Sequence, residues 1–449
     1  MLDRARCFRR PSYFTQKILF VSILSFLLLL FGNNLWAGEI VYPWRATTAL
    51  VKAGDSFDVW FDADSGQTVN SVELRGPYHN VSAAKTVVTG SWVYDQTSGN
   101  KYNTRITVTV PADAPADRYD LVILTSTREV KSIAAVKVVK KIKSEYYVLH
   151  ISDVHRYQGG YDEIVTLKKV STIVDIANII DPEVVFETGD NIYRPSDSRI
   201  DQMFNGIESQ GIKGIRDFHA ATFLAAGNHD YDMNNDGKSG NYEYKADWYN
   251  KWYGLHAYNM AYGDNRFVVI NNGWGGYSNK HQINNAVSWL NSAGRGNFRI
   301  GAAHCKSNPM LPLDNEVDLD LILVGHNHYI ANKNPEPINA KPIQYVASSI
   351  REHAPEFNLF RVDATKGSYT TVSGATAQVV AIENPADKDI PSLYKPKLLL
   401  TYSKNNNGSS AANTATIVNK FNFSIKRARI RFVMPKGAAY RISSGTIEQ

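Results

Sequence analysis

The sequence predicts an α/β protein in which a central domain of strands and helices lies between two β-rich segments. Three observations support this prediction. Short strand-like runs separated by turn residues fill residues 40–145, apolar strand-like runs alternate with helical stretches over 146–373, and β character returns over 375–449. The length of 449 residues also fits two to three domains at roughly 150 residues each.

The composition is that of a globular chain, with 43% hydrophobic, 20% charged and 11% aromatic residues. This excludes a disordered or collagen-like protein. The formal charge is +6, but residues 1–37 hold five basic residues and one acidic residue, which leaves only +2 for the rest. A nearly neutral body lacks the basic surface that binds nucleic acid, so we expect no nucleic-acid partner.

Residues 1–37 have the three parts of a signal peptide: a basic stretch, a 14-residue apolar run over 18–31, and a small-residue cleavage site ending at Ala37. We therefore expect a secreted or periplasmic protein with no stable membrane span after cleavage. An uncleaved anchor is the alternative, because the basic stretch is long. Removal of the signal peptide leaves Cys305 as the sole cysteine, which excludes an internal disulfide.

The segment 40–145 is predicted to be an antiparallel β sandwich, because its strand-like runs alternate and are separated by turn residues. The predicted strands are 56–63, 71–75, 104–110, 118–126 and 130–139. The stretch 110–121 resembles the start of the tyrosine-bearing strand in immunoglobulin-like domains.

The segment 146–373 is predicted to be a layered α/β domain, with helices at 164–180, 200–212 and 286–293. Its predicted strands are 146–151, 183–186, 222–226, 267–270, 298–303, 319–324 and 343–347. The segment 375–449 is predicted to be a small or incomplete β domain, with strands at 377–382, 397–402, 416–423 and 428–434.

Five short motifs follow predicted strands of the central domain. They are Asp153-Val-His155, Gly189-Asp190, Gly227-Asn228-His229-Asp230, His304 and Gly325-His326-Asn-His328. Side chains that follow such strands can meet at one edge of a sheet. Imidazoles with carboxylate and amide oxygens suit Zn, Fe or Mn better than Ca. Two such cations need a negative bridge to lie ~3.5–4 Å apart, and one carboxylate, that of Asp190, can provide it.

In this order the motifs resemble those of the calcineurin-like metallophosphoesterase superfamily, whose pattern is D-x-H, G-D, G-N-H-D/E, H and G-H-x-H. The resemblance covers about 146–373. It implies a four-layer α/β/β/α sandwich that hydrolyses a phosphate monoester or diester by attack of a metal-bound hydroxide.

The resemblance also implies roles for individual residues. One metal would be bound by Asp153, His155, Asp190 and His328, and the other by Asp190, Asn228, His304 and His326. His229 would donate a proton to the leaving oxygen or stabilise charge there, and Asn228 would also contact the phosphate. Asp230 is expected to orient its loop.

Tyr193 ends a Gly189–Tyr193 stretch that resembles the G-D-x-x-Y motif of purple acid phosphatases, in which the tyrosine binds ferric iron. Those enzymes can also carry an N-terminal β sandwich. They have a glycine where this chain has His155, so we predict that Tyr193 lines the substrate pocket instead. Arg351 and His353 follow a late strand and are candidate phosphate contacts, although Arg351 could equally form a surface salt bridge.

A second candidate metal site lies at 232–243, which matches the calcium-loop pattern D-x-[DN]-x-[DN]-G-x₅-E. Its oxygen ligands would be Asp232, Asn234, Asp236 and Glu243. No amphipathic helix precedes this loop, and a polar insertion without metal is an equal alternative.

We therefore expect an exported metal-dependent phosphoric ester hydrolase acting on a small phosphoester. Phosphatase and phosphodiesterase are not distinguished, because both use the same ligands. A non-catalytic cell-surface or carbohydrate-binding protein, acting through its β segments, is the alternative from another class. The sequence does not indicate the oligomeric state.

Overall fold

The fold is mixed α/β and contains large β sheets. The computed structural model describes residues 39–93, 101–156, 163–193, 197–230, 249–271, 280–292, 297–305, 313, 316–328, 344–374, 376–387, 389–437 and 439–445. The predicted signal peptide and the predicted calcium loop lie outside these residues. Within them, none of the helices has the length and apolarity needed to cross a membrane.

Eight strands precede the central domain, and three of them were missing from the sequence-based prediction. They are β1 (Glu39–Tyr42), β2 (Ala49–Lys52), β3 (Ser56–Asp62), β4 (Val69–Arg75), β5 (Asn80–Val93), β6 (Lys101–Thr109), β7 (Arg118–Thr125) and β8 (Glu129–Val139). Hydrogen bonds connect them in the order β1-β3-β6-β5-β4-β7-β8-β2. Strand β5 is 14 residues long; its first part pairs with β4 and the rest with β6.

The alternate apolar residues of these strands form one buried cluster that includes Phe61, Leu74, Ile106 and Leu121. The side chain of Tyr119 is fully buried, and its hydroxyl donates to the carbonyl oxygen of Pro115 at 2.8 Å. This contact is typical of the tyrosine corner in immunoglobulin-like domains. The classification of 40–145 as immunoglobulin-like stays a prediction.

Among the described residues, two sheets and three helices with both ends described belong to the central domain. The first sheet contains β9 (Glu145–Ile151), β10 (Val184–Glu187), β11 (Ala221–Leu224), β17 (Glu356–Asp363), β18 (Ser368–Thr371) and β19 (Gln378–Val380). The second contains β12 (Tyr258–Tyr262), β13 (Asn265–Val269), β14 (Arg299–Ala302), β15 (Leu321–Val324) and β16 (Gln344–Val346). The helices are α1 (Glu163–Ile180), α2 (Asp197–Asn205) and α3 (Lys280–Asn291).

Three buried clusters hold these elements together. One joins α1 and α2 to a face of the first sheet, through residues such as Val170 and Leu149. A second joins the two sheets, through residues such as Phe186 and Phe267. The third joins α3 to the second sheet, through residues such as Leu290 and Ile322. Removal of this much apolar surface from water is the main stabilising contribution to such a fold.

Within each sheet, parallel strands bring the motif loops to the same edge. Strand β10 runs parallel to β9 and β11, and its last residue, Glu187, lies opposite Ile151 of β9 and Leu224 of β11. The loops that carry the first three motifs therefore leave the first sheet side by side. Strands β14 and β15 are also parallel, with Ala302 opposite Leu323, so the loops with the last two motifs leave the second sheet in the same way.

The segment after residue 375 differs from its prediction in two respects. Residues Gln378–Val380 pair with β17, so the first sheet extends past the predicted domain boundary. Residues 428–434, all of which are described, form no strand. The strands β20 (Leu398–Tyr402) and β21 (Ala415–Asn419) pair with each other in a separate antiparallel sheet.

Alternate arginines account for the alternating pattern at 428–434, where no strand forms. Arg427, Arg429 and Arg431 point inward along this segment and pair with Glu183, Asp181 and Asp117 respectively. The alternation of arginines with apolar residues therefore reflects ion pairs with the central and N-terminal parts of the chain, and not hydrogen bonding to a neighbouring strand. Arg118 of β7 adds a further contact between these parts, since its guanidinium donates to the Phe218 carbonyl at 2.9 Å and to Thr222 Oγ1 at 2.8 Å.

Candidate metal centre

The first two motif loops are held against each other by backbone hydrogen bonds. The amide of Asp153 donates to the carbonyl of Gly189 at 3.0 Å, and the amide of His155 donates to the carbonyl of Asp190 at 2.8 Å. The backbones of Asp153, His155 and Asp190 are left-handed, with φ of 54°, 44° and 58°. Residues other than glycine adopt this conformation rarely, and it is often found at functional sites.

Four predicted ligands meet at the first candidate site: Asp153, His155, Asp190 and His328, whose ligand atoms all lie within 4.8 Å of one another. The Nε2 atoms of His155 and His328 are 2.8 Å apart. Asp153 Oδ1 lies 3.4 Å from His155 Nε2 and 3.3 Å from His328 Nε2. Asp153, His155 and Asp190 are buried, and His328 is half-buried.

The second candidate site lies beside the first. His304 Nε2 is 3.2 Å from Asn228 Oδ1 and 3.2 Å from His326 Nδ1. The Nδ1 atom of His304 donates to the carbonyl of Thr188 at 2.6 Å, which leaves Nε2 to face the site. Thus the three further ligands that the resemblance implies for a second metal are brought together.

Asp190 lies between the two groups. Its Oδ2 atom is 3.4 Å from His155 Nε2 on one side and 3.1 Å from His304 Nε2 on the other. Its Oδ1 atom accepts a hydrogen bond from the amide of His229 at 2.8 Å. One carboxylate therefore contacts both groups, as a bridging ligand must.

The electrostatics favour anionic carboxylates at the site. Burial by itself would raise the pKa of Asp153, but the hydrogen bonds from His155 and His328 outweigh it and hold that pKa below its ordinary value. At Asp190, too, burial is outweighed, here mainly by the charge of His304, and the pKa is lowered. Asp190 in turn holds the pKa of His304 well above 6.5 against the effect of burial. This position therefore attracts positive charge, which a cation can supply in place of a proton.

The donor set fits transition-metal cations. Imidazole nitrogens outnumber carboxylates, and this ligand mixture suits Zn, Fe or Mn. Two glycines make room for it. A Cβ added at Gly227 would lie 2.2 Å from Asp190 Oδ1, and one added at Gly325 would lie 2.6 Å from Asp153 Oδ2.

Residues 146–329 match the family model for calcineurin-like phosphoesterases. The chain contains a calcineurin-like phosphoesterase domain. This confirms the resemblance on which the ligand prediction was based. No match was found among curated proteins.

Several solved structures are similar to the chain. Purple acid phosphatase PPD1 from yellow lupin (Lupinus luteus) is 15% identical, with a TM-score of 0.43, over 71% of this chain and 69% of that chain. Amylomaltase from Corynebacterium glutamicum is 10% identical, with a TM-score of 0.17, over 41% of this chain and 24% of that chain. A putative alpha-galactosidase/melibiase from Bacteroides fragilis is 8% identical, with a TM-score of 0.21, over 61% and 55% of the two chains.

Asp230 lies beneath the candidate ligands of the phosphoesterase domain and is fully buried. Its Oδ2 accepts hydrogen bonds from the amides of Asp190 at 2.9 Å and Gly227 at 3.0 Å, and its Oδ1 accepts one from the amide of Asn191 at 3.0 Å. Burial, reinforced by the charge of Asp190, raises the pKa of Asp230 to about 6. This geometry agrees with the prediction that Asp230 orients its loop.

His229 and Tyr193 lie together beside the first ligand group. Their ring centroids are 4.5 Å apart, and that of His229 is 5.0 Å from that of His155. The Tyr193 ring centroid is 6.1 Å from that of His155. Tyr193 thus flanks the site of the phosphoesterase domain. Its contact with substrate stays a prediction.

The two later candidates lie on the segment that follows β16. Arg351 is buried, with 6% of its surface exposed, and its Nη2 lies 3.1 Å from Glu352 Oε1. The Nε2 atom of His353 donates to the carbonyl of His328 at 3.1 Å. Both residues therefore lie near the ligands, and their contact with phosphate stays a prediction.

Two residues near the ligands were missed by sequence reasoning. Glu352 lies 3.1 Å from His328 Nδ1, and no motif position marks it. Cys305 groups with His304 and His326 within 4.8 Å, and its place next to a motif histidine was the available signal. Burial raises the pKa of the Cys305 thiol, which disfavours the thiolate that would bind a metal.

Proposed function

We propose that this chain is an exported phosphoric ester hydrolase that acts on a phosphate monoester or diester at a dinuclear metal centre. The observation that carries the proposal is the position of Asp190 Oδ2, between His155 Nε2 at 3.4 Å and His304 Nε2 at 3.1 Å. The family match over 146–329 supports it independently.

The residues divide into two ligand groups that share Asp190. Asp153, His155 and His328 would complete one group, and Asn228, His304 and His326 the other. The chemistry that two cations supply in such a site is charge stabilisation at the phosphoryl oxygens and a lower pKa for a coordinated water. We propose Zn, Fe or Mn for both positions, on the chemistry of the donors.

His229 is proposed to protonate the leaving oxygen or to stabilise charge on it. Its backbone is fixed by the hydrogen bond to Asp190 Oδ1, and its ring lies between Tyr193 and His155. A positioned imidazole of this kind contributes typically 10²–10⁴-fold to a rate. Tyr193 would line the same pocket and restrict the motion of that ring, while Asn228, Arg351 and His353 would contact the phosphate.

The wider architecture is also a proposal. The alternation of buried clusters from α1 through both sheets to α3 supports a four-layer α/β/β/α sandwich over 146–373. The strand order of 39–139 and the Tyr119 contact support an N-terminal β sandwich. Export rests on the composition of residues 1–37, and calcium binding at 232–243 rests on the loop pattern.

The decisive experiment compares the wild-type chain with Asp190→Ala. The variant should bind neither cation, because both groups lose their shared ligand, and it should not hydrolyse p-nitrophenyl phosphate or its bis-ester. Elemental analysis and turnover of both esters measure this. Asp197→Ala is the control, because the side chain of Asp197 is 66% exposed. Near-wild-type turnover in Asp190→Ala would refute the proposed centre.

His229→Ala separates catalysis from metal binding. This variant should retain both cations and hydrolyse esters more slowly, with the largest loss for poor leaving groups, because these need a proton most. An unchanged rate for poor leaving groups would remove the role proposed for His229. The ratio of monoester to diester turnover in the wild type distinguishes phosphatase from phosphodiesterase.

A further inference from the structure

One side-chain carboxylate contacts the outer nitrogen of a proposed ligand. Glu352 Oε1 lies 3.1 Å from His328 Nδ1. The opposite nitrogen of the same ring, Nε2, faces Asp153 Oδ1 at 3.3 Å and His155 Nε2 at 2.8 Å. When Nδ1–H donates to a carboxylate, Nε2 is left with its lone pair directed into the site, which is the form that binds a cation.

The segment that carries Glu352 is fastened to the ligands at several points. Ser349 Oγ donates to the carbonyl of Asp153 at 3.1 Å, and Ser349 also forms a backbone bridge with Ser152. The Nε2 atom of His353 donates to the carbonyl of His328 at 3.1 Å. Glu352 is therefore placed between two residues that contact the backbones of two different ligands.

Two basic residues contact Glu352 or the residue before it. Arg351 Nη2 lies 3.1 Å from the same Oε1 atom of Glu352 that faces His328. The carbonyl of Arg351 accepts a hydrogen bond from Lys169 Nζ at 2.7 Å, and Lys169 of α1 is fully buried. The guanidinium of Arg351 thus pairs with the carboxylate, and the buried Lys169 of α1 anchors the backbone of the preceding residue.

We propose that Glu352 is a positioning residue for His328, and that it strengthens binding of the cation at the site formed by Asp153, His155, Asp190 and His328. The inference rests on the proposed dinuclear centre and assigns a role outside its five motifs. His304 differs, because the backbone carbonyl of Thr188 holds its outer nitrogen. The second site should therefore be independent of Glu352.

The test uses the full chain and Zn²⁺ as the probe. Glu352→Ala removes the acceptor, whereas Glu352→Gln keeps an acceptor oxygen without charge. Glu129→Gln is the matched control, because Glu129 also pairs with an arginine, Arg75 at 2.9 Å, but lies on β8 of the N-terminal segment. Competition with a chelator gives the affinity of each of the two Zn²⁺ ions, and thermal melting in excess chelator reports on the fold without metal.

We expect Glu352→Ala to weaken one Zn²⁺ by about 10–100-fold, the usual effect of losing such a partner. The other Zn²⁺ and the melting temperature in chelator should stay at their wild-type values. Glu352→Gln should lie between Glu352→Ala and wild type, because its amide oxygen can still accept from Nδ1. Glu129→Gln should change neither affinity.

Three results would overturn the inference. Wild-type affinity for both ions in Glu352→Ala would show that His328 needs no such partner, and the proposed function would stand. Equal weakening of both ions together with a lower melting temperature in chelator would assign Glu352 a structural role only. Failure of the wild-type chain to bind two Zn²⁺ would remove the proposed centre itself, and the inference with it.

Discussion

Replacement of Gly227 by alanine is expected to displace Asp190 and so to remove both cations. The added Cβ would lie 2.1 Å from the backbone nitrogen of Asp190 and 2.2 Å from its Oδ1. Ordinary van der Waals contact for such an atom begins at 3.4 Å. The carboxylate must therefore shift by about 1.2 Å, the difference between 3.4 and 2.2 Å, and rotation of the side chain does not relieve the backbone contact.

A displacement of this size is large for a metal ligand. Distances in metal sites are held to within about 0.2 Å, so a shift of about 1 Å exceeds the tolerance several-fold. Overpacking of this kind also costs about 1–3 kcal/mol of stability. The expected result is a folded protein with much less than one cation per chain, and elemental analysis after gel filtration measures it.

Gly76→Ala provides a steric control. Its added Cβ would lie 2.9 Å from the ring of Tyr119, which is buried, and 3.1 Å from the carbonyl of His79, so it also overpacks its surroundings, but in the N-terminal segment. This variant should lose stability and keep both cations. Full metal content and turnover in Gly227→Ala would refute the reasoning, because they would show that both cations bind although Asp190 has been displaced.

Three further outcomes are expected. Asp230→Ala removes the acceptor of three buried amides, each worth about 1–3 kcal/mol, so hydrogen exchange at the amides of 190, 191 and 227 should be at least roughly tenfold faster; unchanged exchange there would contradict this. Arg427→Gln breaks the pair with Glu183, which is buried, and should lower the free energy of unfolding in urea by about 3 kcal/mol. Lys366→Gln is the control, because the side chain of Lys366 is 74% exposed in its pair with Asp363, and it should leave that free energy almost unchanged. Burial lowers the pKa of His150 from 6.5 to about 3, so the stability contributed by its neutral form is present above pH 6.5 and is lost as the pH falls. His150→Gln should therefore reduce the slope of unfolding free energy against pH by about 1.4 kcal/mol per pH unit between pH 6 and 4. Equal slopes in wild type and variant would contradict this.

The sequence predicted the strands that end at the motifs, because those strands are buried on both faces and read as continuous apolar runs. Strand β5 was missed because its polar and apolar residues do not alternate regularly: the strand is mostly exposed, and Gly90 and Ser91 interrupt the pattern. Strand β17 was missed for another reason. It is almost wholly buried yet carries Glu356 and Asn358 within its buried run, so its sequence is neither a continuous apolar run nor a regular alternation.

The candidate ligands were predictable from the sequence, but the contacts that support them were not. His328 and Asp153 stand at fixed positions in short motifs, so a resemblance can identify them. Glu352 has no fixed spacing from His328, and only the folded chain brings it 3.1 Å from that ring. Asp230 lies within a motif, but its three amide contacts depend on how two loops pack, which no local pattern reports.

Backbone conformation explains why the site should respond so strongly to small changes. Five proposed ligands, Asp153, His155, Asp190, His326 and His328, have φ between 44° and 69°. Each left-handed residue other than glycine costs roughly 1–2 kcal/mol, so the five together cost an amount comparable to the whole stability of a domain. The conformation persists because amides between the loops are paired, as at Asp153 and His155, and because Asp230 holds the amide of Asp190. Loss of any one of these contacts releases strain stored at several ligands, so a change at Gly227 or Asp230 should be felt at both candidate metal positions.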